Sequence, residues 1–364
     1  MKTCLYDKHV ALGALMSPFA GFDMPISYRG ITEEHQAVRN HAGVFDVSHM
    51  GEFYVGGARA QEFLDRVFTN DLAGLADGHI AYGMFTRQDG GVVDDLLVYR
   101  RNKDSWFLVV NAANIDKDFA WLEECRKSEG FEDVDLRNLS AGIGELALQG
   151  PEAEEVMRKV FGLELSDLEF YSFRETEIDG KPVLVSRTGY TGEDGFEIYS
   201  AEDVIVKVWD ALMAAGVEPC GLGCRDTLRF EVGLPLYGHE LADDITPVEG
   251  SLSMFCKLDK PAGFLGSDVL ARQKADGPKR RIVGLELLDR AIPRAGYEVL
   301  NPEGEVVGHI TTGYRGISVD KSIAMALVDA AWAARDTELQ VRIRRKTFPA
   351  RVIPRRFYKK SYKK

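Results

Sequence analysis

Beyond Asp276-Gly277-Pro278 the chain breaks into six short β-like runs, at 282–288, 297–300, 306–312, 323–328, 339–343 and 350–353, with turns between them. Strands this short and this regularly spaced predict a small barrel or sandwich. The texture before Gly277 is different, with helical and strand patterns mixed. A boundary is therefore expected near Gly277, dividing 1–276 from 277–364. A chain of 364 residues has room for two or three domains.

The upstream part reads as an α+β region. The first thirty residues, with Ser17-Pro18, Met24-Pro25 and scattered Gly, predict loops and short strands. A helix is predicted over 33–41, ended by Ala42-Gly43. One strand-like run follows over 44–57, then an amphipathic helix over 60–68. Strands at 81–87 and 92–99 flank Asp89-Gly90-Gly91, a strong hairpin signal. A strand at 106–110 and a helix at 115–126 complete a unit of the split α+β kind. A second set comprises strands at 146–149, 181–187 and 195–199 and helices at 152–160 and 201–215.

Hydrophobic residues make up 45% of the chain and charged residues 28%, which excludes a disordered or collagen-like polymer. No apolar run reaches the ~18–20 residues of a membrane helix, and the start of the chain has no apolar segment of a leader peptide. The five Cys are scattered. Cys220 and Cys224 have three residues between them and no His at ligand spacing, so reduced thiols in a cytoplasm are expected rather than a metal knuckle. The net charge of −12 argues against a nucleic-acid binder. From Val341 to Lys364, however, eleven Lys/Arg occur with no acid. That end is either a solvated edge with a frayed tail or a surface for an anionic partner.

The sharpest local signal is Asp94-Asp95 inside the apolar run Val92-Val93-Asp94-Asp95-Leu96-Leu97-Val98-Tyr99. Alternation sends the two carboxylates to opposite faces and groups Asp95 with Val93, Leu97 and Tyr99. A carboxylate among such neighbours loses hydration at a cost of several kcal/mol unless it is paired. Either one Asp caps the hairpin while the other meets solvent, or at least one has a chemical role. A second motif, Arg187-Thr188-Gly189-Tyr190-Thr191-Gly192-Glu193-Asp194-Gly195-Phe196-Glu197, has Gly at every third position but lacks the Lys-Ser/Thr of a phosphate loop. It is a tight turn, or a turn whose Tyr190 and Glu197 clamp a flat polar ring. Arg225 falls in the first turn of a helix that begins after Gly221, where the helix dipole disfavours a cation. An acid such as Glu197 or an anionic ligand should offset it. Gly142-Ile143-Gly144 imitates a dinucleotide fingerprint but leads into a strand rather than a helix, so that reading is rejected. His49 is either a site residue or a core histidine.

Taken in order, these motifs resemble the glycine-cleavage aminomethyltransferase family, the T-proteins. The resemblance is carried by Leu5-Tyr6-Asp7, Phe19-Ala20-Gly21, Phe45-Asp46-Val47-Ser48-His49-Met50-Gly51-Glu52 and Gly90-Gly91-Val92-Val93-Asp94-Asp95-Leu96. Asn111-Ala112-Ala113-Asn114, Leu148-Gln149-Gly150-Pro151, the 187–197 and 221–231 runs, and Leu236-Tyr237-Gly238 extend it over nearly the whole chain. It implies a folate-binding fold of two interleaved α+β regions plus a C-terminal β-barrel. It implies transfer of the methylene of an aminomethyl group from lipoylated H-protein to tetrahydrofolate as co-substrate. Ammonia, 5,10-methylenetetrahydrofolate and dihydrolipoyl H-protein would be the products, with no metal required. By position, Asp95 matches the essential carboxylate, and Tyr82, Tyr99, Asn111, Tyr190, Glu197 and Arg225 match folate-site residues. The basic end then gains a purpose: some of Arg342, Arg344, Arg351, Arg355 and Arg356 would attract the acidic carrier or the glutamyl tail of folate. The stretch 311–322 departs from the family pattern and is expected in a barrel loop facing the central cleft. The alternative reading is a folate-dependent demethylase of the same fold acting on a small free methyl donor.

Overall fold

A computed structural model describes residues 1–261 and 263–359. Two sheets face each other at its centre. One has six strands in the order Phe173–Ile178, Lys181–Ser186, Gly195–Ala201, Ile143–Gln149, Gly43–Asp46 and Glu218–Pro219. The other has five, ordered His79–Thr86, Val92–Asn102, Ser105–Val110, Gly51–Gly56 and Asp135–Asn138. The chain enters the six-stranded sheet at Gly43, crosses to the other at Gly51 and returns at Ile143, so the sheets are interleaved.

That crossing corrects the single strand expected over 44–57. Gly43–Asp46 and Gly51–Gly56 belong to different sheets. The break is a turn in which Asp46 accepts the Ser48 amide at 2.9 Å and the Met50 amide bonds the Val47 carbonyl. A polar Asp-x-Ser triplet inside an apolar run offers the backbone an alternative to the ladder. A second correction is the short helix Tyr6–Ala11, where loops and strands were expected. The hairpin of Leu15–Phe19 and Phe22–Ser27 follows it.

Between the sheets lies an apolar layer in which Ile80, Tyr99, Phe107 and Val109 from one meet Phe173, Leu184 and Tyr199 from the other. The outer faces are covered by helices. Ala60–Val67 buries Ala60, Phe63, Leu64 and Val67, one stripe at helical spacing. Glu202–Ala214 does the same with Val204, Ile205, Val208, Trp209 and Leu212 on the six-stranded side. The order helix, sheet, sheet, helix makes both sheets two-sided, which explains why their strands read as nearly continuous apolar runs.

The six strands Arg280–Leu287, Glu298–Leu300, Val306–Arg315, Ser322–Asp329, Glu338–Ile343 and Lys346–Ile353 close into a barrel, the first pairing with the last. Closure leaves no unpaired edge. The 311–322 stretch does not face a central cleft. Its first half continues the Val306–Arg315 strand, and its reversal docks on the helices Ile31–Asn40 and Leu222–Glu231. There Ser318 Oγ meets His35 Nε2 at 2.7 Å and accepts from Arg39 Nε at 3.2 Å, while its amide donates to Glu231 at 2.7 Å. Phe357 packs on Phe230, and Arg39 lies over the Tyr358 ring. The loop is thus part of the seam that fastens the barrel to the α+β body.

Gly150 ends the strand Ile143–Gln149 with a φ of +133°, and a Cβ there would sit 2.3 Å from the His41 carbonyl oxygen. Gly150→Ala should cost about 2–4 kcal/mol, from backbone strain and the clash together. Urea unfolding of the two proteins measures it.

Candidate active site

The Asp-Asp strand decides the geometry. Its register with His79–Thr86 shifts between Phe85 and Thr86, a bulge beside Val93. Because of it, Val93 joins Leu96 and Val98 on the helix side, not Asp95 as strict alternation predicts. Asp94 and Asp95 do point to opposite faces. Asp94 is fully buried beneath the start of the helix Ile115–Ser128. It accepts the Asn111 amide at 3.0 Å, Asn111 Nδ2 at 2.9 Å and Asn114 Nδ2 at 2.6 Å.

Asp95 faces the inter-sheet space and is half-buried, because a cavity of about 420 Å³ opens in front of it. It accepts the Tyr82 hydroxyl and Asn111 Nδ2, each at 2.9 Å. Desolvation, and then the charge of Asp94, push its carboxyl up to about 7. Asn111 is the bridge between the two acids.

Leu97 and Val109 line the cavity from one sheet, and Glu145, Glu197 and Tyr199 from the other. Glu197 is buried and accepts from the Thr188 hydroxyl and, at 3.4 Å, from Tyr199. Burial raises its carboxyl above the ordinary range, with Thr188 and Arg225 pulling the other way. Glu145 has one buried oxygen without a partner, and Glu52 behind it has two. Burial holds both of these acids far towards the neutral form.

Arg225 stands in the first turn of the helix Leu222–Glu231, its guanidinium 4.8 Å from the Tyr190 ring centre. Among the described residues no carboxylate offsets it within ion-pair distance, and its buried Nη1 has no partner. An unfulfilled cation, under-bonded acids and aromatic rings around one cavity describe a site shaped for a flat polar ligand with donors on one edge.

Tyr82, Asn111, Tyr190, Glu197 and Arg225 therefore come together around Asp95. Tyr99 does not reach the cavity. It is wholly buried one layer back, its hydroxyl 2.9 Å from that of Tyr199 and 3.2 Å from Ser186. The wall residue is Tyr199, which sequence reasoning missed. It lies two positions after Glu197, and alternation alone puts the pair on one face.

A second cavity of equal volume adjoins the first. Phe19, Ile26, His49, Leu222 and Tyr237 line it, and it shares Met50, Asn111, Tyr190 and Arg225 with its neighbour. His49 is buried edge-on to Phe19, with Nδ1 unpartnered and its basicity lowered to about 4 by desolvation. Asp95 lines the first space, and Asn111, which is bonded to it, lines both.

The basic end divides. Arg355 is structural, donating to the Gly250 and Ser251 carbonyls, and Arg342 pairs with Glu298. Arg356 is exposed at the cavity rim. Lys360, Lys363 and Lys364 lie outside the described residues. Glu34, Cys220 and Cys224 hold their ligand atoms within 4.8 Å of one another. Glu34, though, accepts four backbone amides, from Tyr28, Arg29, Gly30 and Gly221. Its oxygens are committed to fixing a turn. All five cysteines are free, and among the described residues no helix is long and apolar enough to cross a membrane.

Residues 5–260 match the profile of the GCVT N-terminal domain, and 280–359 that of the glycine cleavage T-protein C-terminal barrel domain. An aminomethyltransferase of Alkaliphilus oremlandii is 47% identical over 368 residues, covering 100% of this chain and 99% of the relative. One of Symbiobacterium thermophilum is 48% identical over 370 residues, covering 100% and 98%. The crystal structure of glycine cleavage system aminomethyltransferase T from Bartonella henselae superposes with a TM-score of 0.93 at 36% identity, covering 100% of this chain and 99% of that one. With both halves of the fold and the whole length matched, the chain belongs to the aminomethyltransferase family, the T-proteins of glycine cleavage.

Proposed function

We propose that this chain moves the methylene of an aminomethyl group, carried on the lipoyl arm of H-protein, to tetrahydrofolate. The observation that carries the reading is a pair of adjoining cavities that share Asn111, the residue bonded to Asp95 in the first of them. A two-substrate transfer needs two approaches to one point. The first cavity suits the pterin: the donors of its amino-pyrimidine edge complement Glu197, Arg225 reaches a ring carbonyl, and the tyrosines give flat walls. Arg356 at the rim suits the glutamyl carboxylates. The second, mostly apolar cavity suits a lipoyl arm. Relatives named aminomethyltransferase at 47–48% identity support this donor over a small free methyl donor.

Two hydrogens leave the folate nitrogens as the methylene joins them. One completes the carrier thiol as the C–S bond breaks, and the other completes ammonia as the C–N bond breaks. Cationic character develops on the carbon between those steps. An ionised Asp95 beside it stabilises that charge, and a carboxyl that titrates near neutrality can also take up and return a proton. Asn111 and Tyr82 fix its two oxygens for the purpose.

Asp95→Asn should keep folate affinity within about threefold and lower the rate of methylenetetrahydrofolate formation by about 10²–10³. In the wild type the rate should fall as the pH drops through about 7, because protonation removes the charge; the variant should lack that limb. An unchanged rate in Asp95→Asn would overturn the role. Glu197→Gln replaces an acceptor with a donor facing donors, and should weaken folate binding about 10–100-fold by calorimetry. Arg356→Glu should raise the KM for polyglutamylated folate about 2–5-fold at low salt, and less at high salt.

A further inference from the structure

Asp118 is an acid beside the Asp94-Asp95 pair that the chemistry above leaves unused. It sits in the first turns of the helix Ile115–Ser128, fully buried, directly against Asp94 on the side away from the cavity. Neither of its oxygens receives a hydrogen bond from a donor group among the described residues. The adjacent Lys117 does not pair with it, because its ammonium donates to the Val93 carbonyl and the Tyr237 hydroxyl. Asp94 is no better placed to share a donor with it: the donors it receives are the Asn111 and Asn114 groups.

Two ionised carboxylates cannot stay in contact in a dry space without a cation. An ionised carboxylate only accepts hydrogen bonds, so a bond between two carboxyl groups requires a proton on one of them. Asp94 has three donors that favour its charged form, and Asp118 has none. The proton therefore belongs on Asp118.

We propose that Asp118 is a positioning residue for the transfer reaction: as a neutral acid it donates to Asp94, keeps Asp94 anionic, and through that charge and the Asn111 bridge sets the pH at which Asp95 ionises. The chain of contact is continuous. Asp118 touches Asp94, Asp94 accepts Asn111 Nδ2, and the same nitrogen donates to Asp95 at 2.9 Å. Burial and the Asp94 charge hold the Asp118 carboxyl up at about 11, in the same sense as the geometry. The other titratable or charged groups that face the stack are Lys117 and Tyr237 on the helix side, and Tyr82 and Tyr190 on the cavity side. Lys117 and Tyr237 are bonded to each other, and the tyrosines stay neutral across the working range because burial raises their hydroxyls.

The inference rests on Asp95 being the working carboxylate, so its test reads Asp95 directly as well as the rate. Asp118→Asn keeps a neutral donor of the same shape. Asp118→Leu keeps the bulk and removes the donor, so that Asp94 loses one of the bonds that offset its desolvation, its own ionisation moves up, and its charge opposes ionisation of Asp95 less. The carboxyl titration of Asp95 is followed by carbon NMR in the full-length protein, alongside the pH dependence of the rate with aminomethylated H-protein. The expected result is a wild-type midpoint in Asp118→Asn and a midpoint at least one pH unit lower in Asp118→Leu. A shifted midpoint in Asp118→Asn would mean that Asp118 is ionised, and would overturn the proposal. An unmoved midpoint in a folded Asp118→Leu would overturn it too. If the Leu variant does not fold, the Asn variant still decides. Should the NMR midpoints behave as stated while the rate ignores them, the Asp118 assignment stands and the role given to Asp95 fails.

Discussion

Two consecutive aspartates in the middle of a buried strand should repel each other and the apolar surroundings, and the arrangement around this site answers that problem. The answer is mostly one side chain. Asn111 gives its amide nitrogen to both carboxylates, and its backbone amide to Asp94 as well. Asn114 and Tyr82 supply the remaining donors. Desolvation raises the Asp94 carboxyl while these donors pull it back, and desolvation and the Asp94 charge push Asp95 up to about 7; a carboxyl that titrates there can serve both as charge and as proton carrier. The tight turn into the following helix, Asn111-Ala112-Ala113-Asn114, is therefore as much a part of the site as the strand itself.

The two sheets supply the second requirement, a water-poor gap of fixed width. Tyr99, Tyr199, Phe107 and Phe173 space the layers. Where that packing stops, the cavity begins. Tyr99 contributes by holding the hydroxyl of Tyr199, which forms the wall, so an aromatic that does not line the cavity still sets its shape.

Much of this was legible in the residues. The barrel strands showed as short runs between turns, and the helices as stripes at helical spacing, since both patterns come from burial on one face. The opposed directions of Asp94 and Asp95 followed from alternation. The errors have physical causes. The bulge beside Val93 changes the face without changing the composition, and a two-residue periodicity cannot see an extra residue. The split of 44–57 turned on Asp46 bonding its own backbone, a local event inside an apolar run. The 311–322 loop was placed by partners far away in sequence, His35, Arg39 and Glu231, which no local pattern names. Tyr99 and Tyr199 share composition and alternation, and only the depth of the layer separates wall from support.

The interleaving of the sheets has a consequence for how the molecule comes into being. The strand Gly43–Asp46 pairs with Ile143–Gln149, a partner that leaves the ribosome about a hundred residues later. Between them in the sequence lie all five strands of the other sheet, the one bearing Asp95 included. During synthesis Gly43–Asp46 therefore has no Ile143–Gln149 partner until the whole of the other sheet has been made. The gap between the sheets thus gains its second wall only through a pairing that spans the entire sequence of the first.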